Sequence, residues 1–484
     1  MTGGKGMSEG MINLSFLSGM TIAVLGLGKS GMSAARALQA GGADVWAWDD
    51  NEDRRAAARA AGVPLVDLYG CNWHEPASLV LSPGIPHTHP TPHPVAVLAK
   101  SHDCEIIGDI ELLARAQRDA RYIGITGTNG KSTTTALIAH ILSAAGREVA
   151  VGGNLGIPAL DLAPLEAGGI YVLEMSSYQL EITLSITFDI AVLLNVSADH
   201  LERHGGLAGY TAAKRLIFRN QSAPHTAIVG MDDEISRGVF ANLAAAADQM
   251  VIPISGQRAG AIHAHEGLLT DDSEGAAARI VDLKDVVSLP GAHNWQNAAA
   301  AYAAAKAAGI EPSDIASGLR SFPGLPHRQE LVAVIEGIAY INDSKATNTD
   351  ATGKALACYE TIYWIAGGQP KDTDLAGLEP WFRKIAHAYL IGEAEAVFAA
   401  ALKDHMPLTR CGDMNTAVGK ARQLAEQERR PGAVVLLSPA CASFDQFSNF
   451  EARGDAFRTM VEALPGTRGA MPHHQKHPRG SYLQ

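Results

Sequence analysis

Cysteine is scarce and shows no pattern. The 484 residues hold five, Cys71, Cys104, Cys358, Cys411 and Cys441, and no C-x-x-C pair. An odd, scattered set argues against a disulfide framework or a cysteine-built zinc site and fits a reducing cytoplasm. No apolar run reaches the roughly 18–20 residues that a membrane span needs. The opening residues lack an apolar stretch followed by a cleavage site, so no secretion signal is expected. Excess positive charge is also missing: 39 Lys and Arg stand against 51 Asp and Glu, a net charge of −12. That balance argues against nucleic acid or an anionic membrane as the main partner. It leaves a nucleotide open, because a loop of backbone N–H groups and one lysine handles phosphate locally. The polar end, "GAMPHHQKHPRGSYLQ", reads as a disordered tail rather than a histidine metal site.

With 47% hydrophobic and 19% charged residues, the chain can bury several cores, and its length suggests about two to four domains. "TIAVLGLGKSGMSAARALQAGGADVWAWDD" (21–50) reads as strand, glycine turn, helix, strand. A second block opens with a strand at Tyr122–Thr126 and a helix from about Ser132. Apolar strands in "GGIYVLEMSSYQLE", "DIAVLLNVSADH" and "HTAIVGMDD" follow. A third block repeats the style after the Pro/Gly-rich "SFPGLPHRQE". Strands alternating with helices predict an α/β protein with mostly parallel sheets and function at the strand C-terminal ends. The expected domains are 1–108, 109–324 and 325–484.

"GITGTNGKSTTTALI" (124–138) lies between a strand and a helix. It departs from G-x-x-x-x-G-K-[ST], because position 125 is Ile where the first glycine should stand. Gly127, Thr128, Asn129 and Gly130 still let the backbone curl its N–H groups inward at a helix N-terminus, the arrangement that binds phosphate. Lys131 would neutralise phosphate charge, and Ser132 would offer a hydroxyl to Mg²⁺. Glu174, at the end of "YVLEM", reads either as a second Mg²⁺ ligand or as a solvated strand end. His200 in "NVSADHLERHG" reads as a metal or substrate ligand or as a surface histidine. Lys214 in "YTAAKRLIF" reads, on sequence alone, as a surface cation. Asn294 and Asn297 stand three apart at a helix start, where one caps and the other faces a ligand. Arg328 sits at a domain boundary, with a side chain suited to forked phosphate contacts or to an ion pair. "INDSKATN" (341–348) crowds polar groups after a strand, and "SPACASFDQF" (438–447) puts small residues after another. In the first block, Gly26, Gly28 and Gly31 match G-x-G-x-x-G, with Asp49 beyond. Read alone, that motif means a dinucleotide, but any turn that approaches a pyrophosphate needs the same glycines.

Taken in order, "TGTNGKST", "GGNLG", "EMSSYQLE", "NVSADHLERHG", "TAAKR", "GAHNWQNAAAA", "LPHR", "NDSKATN" and "SPACASFDQF" resemble the Mur ligase family of peptidoglycan-building amide ligases, over about residues 20–460. The closest likeness is to the branch that adds D-glutamate. The Gly offset in the loop is this family's own form. The resemblance implies three domains: a Rossmann-like UDP-binding domain, a P-loop-type ATPase and a Rossmann-like amino-acid domain. It implies an acid–amino-acid ligase working through an acyl phosphate on a UDP-linked substrate, in the cytoplasm; a monomer is the default expectation. It places Gly28, Lys29, Ser30, Asp49, Asp50, Ser82, Pro83, Gly84, Asn154 and His200 at the UDP-linked substrate. Gly127, Thr128, Asn129, Gly130, Lys131, Ser132, Thr133, Asn294, Asn297, Arg328, Asp343 and Lys345 fall to ATP. Thr347, Lys371, Ser443, Phe444 and Phe450 fall to D-glutamate, and Ser132, Glu174, His200 and Lys214 to two Mg²⁺ ions. Lys131, Glu174, His200 and Lys214 form the catalytic set. Lys214 matches a lysine that the family carbamylates with CO₂, which turns an ammonium into an oxygen ligand. The third domain is expected to swing about "FPGLPHR". A folylpolyglutamate-type or another Mur-type ligase is the near alternative, and an NAD-dependent oxidoreductase the distant one.

Overall fold

The computed structural model describes residues 10–257, 260–370 and 374–469. Lys371 and both chain ends, the polar tail included, lie outside the described residues. Each block carries its own sheet. The first holds β1 (Thr21–Leu25), β2 (Asp44–Trp48), β3 (Ser78–Leu81) and β4 (Glu105–Ile107), all parallel in the order β2-β1-β3-β4. The second holds β5 (Arg121–Thr126), β6 (Val149–Gly153), β7 (Ile170–Glu174), β8 (Ile190–Leu193) and β9 (Thr226–Gly230). It continues with β10 (Met250–Ser255), β11 (Ile262–His265), β12 (Leu268–Asp271) and β13 (Ala278–Asp282). Its order is β13-β12-β11-β10-β9-β8-β5-β7-β6, which puts β5 between β7 and β8. The third holds β14 (Glu330–Ile335), β15 (Ile338–Asn342), β16 (Thr361–Gly367), β17 (Ile385–Ile391), β18 (Leu408–Gly412) and β19 (Ala433–Leu437). They run in the order β14-β15-β19-β16-β17-β18, and only the β14–β15 pair is antiparallel.

The chain divides into two compact units. Of the described residues, one comprises those within 10–265, 269–280 and 296–319; the other comprises those within 266–268, 281–295 and 320–469. The first two sheets share a unit because their cores run together. The helix Asp109–Ala116 buries Ile110, Leu112 and Leu113 in one cluster with Val24 and Val80 of the first sheet and Tyr171 and Leu193 of the second. The second unit packs two layers on its sheet, one around Trp364 and Leu436 and the other around Tyr363 and Val435. Alternate residues of β16 and β19 face opposite layers, as strands covered on both sides require.

The helix Lys131–Ala144 begins with Thr133, Thr134 and Thr135, a β-branched run of weak helix propensity. All three are buried, so tertiary packing and the turn at Gly130 hold it as a helix. The helix His293–Ala307 is the opposite case: Ala298–Ala301 and Ala303–Ala305 are wholly buried, together with Tyr302. Methyl side chains let its backbone lie close to its neighbours. No helix among the described residues is long and apolar enough to cross a membrane.

Candidate active site

Strand register brings the polar loops of the first unit together. In the β5–β7 pair Ile125 faces Glu174, and in the β6–β7 pair Gly153 faces Glu174. The carboxylate therefore emerges beside both the phosphate loop and Asn154. Asn154 Nδ2 donates to Glu174 Oε1 at 2.7 Å. Glu174 is 2% exposed, and its Oε2 has no hydrogen-bond partner among the described residues. A buried carboxylate oxygen left unpaired costs free energy unless a cation or donor joins it.

The loop itself is built for close approach. Gly130 has φ +84°, and a Cβ there would run into Asn297 Oδ1. Asn297 is buried, and its Oδ1 accepts from Thr134 Oγ1 at 3.3 Å. Lys131 Nζ folds back onto the loop, donating to the carbonyls of Gly127 and Thr128 at 2.9 Å each. Asn195, just past β8, holds Asn129 from both sides: it accepts from Asn129 N at 2.9 Å and donates to Asn129 O at 3.2 Å. Ser132 and Thr133 are each 8% exposed at the helix start.

Lys214 overturns its surface reading. It is 1% exposed, and Nζ donates to Gly127 O at 2.8 Å and lies 4.5 Å from the Tyr210 ring centre. Burial, and then the charge of Lys131, push its amine down to about 7, against the opposing pull of Asp199 and Glu174. The helix Leu207–Arg215 carries it inward. His200 is exposed, at φ +50° ahead of the turn Leu201–His204, with Asp199 Oδ2 3.5 Å from its Nε2. Among the described residues no three or more His, Cys, Asp or Glu cluster as a metal site.

In the first sheet Leu25 pairs with both Trp48 and Leu81, so the loops after β1, β2 and β3 open at one edge. Asp49 is buried, and its carboxylate accepts from Leu27 N at 2.6 Å and Asn51 N at 2.8 Å. Oδ2 braces the glycine turn and Oδ1 the loop after β2. Ser82 Oγ donates to Gly26 O at 2.9 Å and ties the turn to the loop that carries Pro83 and Gly84. Gly28 precedes the helix Lys29–Ala40, with Lys29 exposed and Ser30 half-buried in its first turn. Asp50 accepts from His93 Nε2 at 2.9 Å, Tyr69 OH at 3.1 Å and Trp48 Nε1 at 3.3 Å. Burial works against ionisation, yet the bonds from His93 and Tyr69 hold this carboxyl below its ordinary range.

The second unit gathers its own set. Asn342 pairs with Leu437, so Asp343 and Ser438 leave adjacent strands side by side. Ser438 Oγ donates to Asp343 Oδ2 at 2.9 Å, and Gln329 N to Oδ1 at 3.1 Å. Burial pushes the Asp343 carboxyl up to about 7, against the pull of Ser438, Gln329 N–H and Arg328. Lys345 Nζ lies 5.2 Å from the Phe450 ring centre, and Thr347 N donates to Lys345 O at 2.9 Å. Ser443 is 1% exposed with no partner for Oγ among the described residues, whereas Phe444 is 66% exposed. Asn294 Nδ2 donates to Pro290 O at 2.7 Å. Arg453, wholly buried, donates to the carbonyls of Ser344, Cys441 and Ala442 and so locks the two loops together. Sequence reading missed Asn195, Ser438 and Arg453. The first two stand directly after apolar strands, the same signal that exposed Glu174 and Asp343.

Residues 125–305 match the model of the Mur ligase middle domain, and 327–441 that of the Mur ligase glutamate ligase domain. The UDP-N-acetylmuramoylalanine–D-glutamate ligase of Rhodospirillum rubrum is 53% identical over 467 residues, covering 95% of this chain and 98% of the relative. The chain belongs to the Mur ligase family. A ligase of the same name from Rhizobium meliloti is 48% identical, covering 94% of this chain and 99% of the relative. Among solved structures, the fold resembles UDP-N-acetylmuramate–alanine ligase from Thermotoga maritima, with a TM-score of 0.57 at 18% identity over 92% of this chain and 99% of that one. It also resembles UDP-N-acetylmuramoylalanyl-D-glutamyl-2,6-diaminopimelate–D-alanyl-D-alanyl ligase from Acinetobacter baumannii, with a TM-score of 0.54 at 18% identity over 76% and 80%. The family's α/β fold, with mostly parallel sheets in three domains, is the one expected from sequence.

Proposed function

We propose that this Mur ligase joins D-glutamate to UDP-N-acetylmuramoyl-L-alanine with cleavage of ATP to ADP and phosphate, a cytoplasmic step of peptidoglycan precursor synthesis. Near-full-length identity to ligases of that name carries the reading. The substrate's terminal carboxylate attacks the γ-phosphorus, the bond to ADP breaks, and an acyl phosphate forms. The free amine of D-glutamate adds to the acyl carbon, phosphate leaves, and the amine's proton passes to solvent as the amide forms. Such chemistry needs alignment and charge neutralisation more than covalent help.

The phosphate loop, Lys131 and the helix start hold the ATP phosphates, with Asn297 fixing the loop from behind. We assign Asn294, Arg328, Asp343 and Lys345 to the nucleotide, and Thr347, Lys371, Ser443, Phe444 and Phe450 to D-glutamate. The loops after β1, β2 and β3, together with Asn154 and His200, receive the UDP-linked substrate. The unpaired Glu174 Oε2 fits Mg²⁺, a hard cation that takes oxygen ligands, and the Ser132 hydroxyl would be a second ligand. His200 and a carbamylated Lys214 would serve a second ion. Bound there, Mg²⁺ would neutralise phosphate charge. Carbamylation starts from a free amine, and a lysine lowered to about 7 supplies it at neutral pH.

Phosphate release from ATP and UDP-N-acetylmuramoyl-L-alanine, in magnesium and bicarbonate, tests the reading. D-glutamate should support release, and L-glutamate, meso-diaminopimelate and L-lysine should not. Release with another amino acid would overturn the specificity, and no release with any would overturn the reading.

A further inference from the structure

We infer that Arg203 is a positioning residue that ties the loop after β3 to the turn carrying His200, so that substrate seated on the first sheet sets the phosphate-binding side. The inference rests on the proposed assignment of the loops after β1, β2 and β3 to the UDP-linked substrate and of the phosphate loop to ATP. Arg203 Nη2 donates to Ile85 O at 3.0 Å, and Nη1 to His89 O at 3.2 Å. Among the described residues no carboxylate forms an ion pair with it. Its charge serves two main-chain carbonyls of a loop that begins at Ser82.

From Arg203 a continuous run of ring contacts leads inward. The guanidinium carbon lies 4.9 Å from the Tyr178 ring centre, on the turn Ser177–Glu181 that follows Glu174. Tyr178 stacks on His204 at 5.2 Å and 20°, and its ring lies 5.4 Å from that of His200. The His204 side chain is wholly buried; its Nε2 meets Ser177 Oγ at 2.9 Å, and its Nδ1 meets Glu181 Oε1 at 3.2 Å. Its ring lies 5.4 Å from that of Tyr210. The Tyr210 hydroxyl is 3.4 Å from Thr128 Oγ1 of the phosphate loop, and its ring lies under Lys214 Nζ. Packed rings transmit displacement because interiors are dense and resist compression. The planar fork of Arg203 reaches the two loop carbonyls with separate N–H groups held in one rigid plane, a geometry that a lysine's single rotating ammonium does not reproduce.

A shared element of this kind makes the two ligands' affinities interdependent, and the interdependence is reciprocal. The test measures, by calorimetry, the Kd of UDP-N-acetylmuramoyl-L-alanine with and without a non-hydrolysable ATP analogue, and the converse. Wild type, Arg203→Lys and Tyr178→Leu are compared in magnesium and bicarbonate. In the wild type each ligand should tighten the other by the same factor, of at least about fivefold. Both variants should bring that factor close to one, while the analogue's Kd in the absence of the other ligand changes by less than about twofold. The KM for the UDP-linked substrate should rise and that for D-glutamate stay unchanged. A merely structural role would lower thermal stability and leave the coupling factor intact. A variant with the wild-type factor, or a wild type with none, overturns the inference. Failure of the wild type to release phosphate with D-glutamate would instead count against the functional reading.

Discussion

Lys214 shows how far one side chain depends on its surroundings. Its amine is buried and lies near the charge of a second lysine, Lys131, and these two effects bring it down to about 7. Above pH about 7 the amine is free to take up CO₂; below it, protonation blocks the reaction. Activity in CO₂-depleted buffer should therefore fall, return with bicarbonate, and decline as pH drops through that value. A carbamate signal in ¹³C spectra of enzyme given labelled bicarbonate would track it, and its absence at pH 8 would refute the modification. Asp343 carries the reverse sign. Its folded pKa of about 7 lies above its ordinary 3.8, so its contribution to stability is full below 3.8 and is lost as pH rises through about 7. Asp343→Asn mimics the protonated form. Its melting temperature relative to wild type should rise between pH 5.5 and 8, by about 2–4 °C for each kcal/mol. Equal differences at both pH values would contradict this.

At the scale of elements, the phosphate loop is held from outside as much as by its own glycines. Asn195→Ala removes both bonds to Asn129. It should raise the KM for ATP by about tenfold, since two lost hydrogen bonds are worth roughly 1–3 kcal/mol. Gly130→Ala should do more, because its φ of +84° is strained for any Cβ and the methyl meets Asn297. Phosphate-release kinetics distinguish the two variants. The loop, Glu174 and the polar cluster after β15 were legible in the sequence because each is a break from apolar strand into polar or glycine-rich turn. The burial of Lys214 was not: "YTAAKRLIF" has the look of an exposed helix, and only the packing of Leu207–Arg215 turns Lys214 inward. Nor was Arg453 legible, since apart from the distant Ser344 hydroxyl its partners are main-chain carbonyls more than ten positions away in sequence, and carbonyls leave no mark on a pattern of side chains.

For the whole molecule, two compact units carry different proposed ligand sets: the first those for the UDP-linked substrate, the second those for D-glutamate. Calorimetric unfolding should resolve two transitions. UDP-N-acetylmuramoyl-L-alanine at about 100 times its Kd should stabilise one of them by roughly 2.7 kcal/mol, and D-glutamate should raise the other. A single transition raised by both would count against this partition. The alternation of strand and helix announced three sheets. The sharing of one core by the first two was hidden, because it depends on which face of the helix Asp109–Ala116 each sheet meets.

The alanine-rich helix His293–Ala307 has a genetic consequence. Seven of its alanines are wholly buried, and added methyl groups in so tight a seam cost about 1–3 kcal/mol each. A loss of that size leaves a domain folded when cool and unfolded when warm. In a screen of random substitutions, alanine-to-valine changes along Ala298–Ala305 should therefore be enriched among heat-sensitive alleles that grow at low temperature, while changes in the phosphate loop should fail at every temperature.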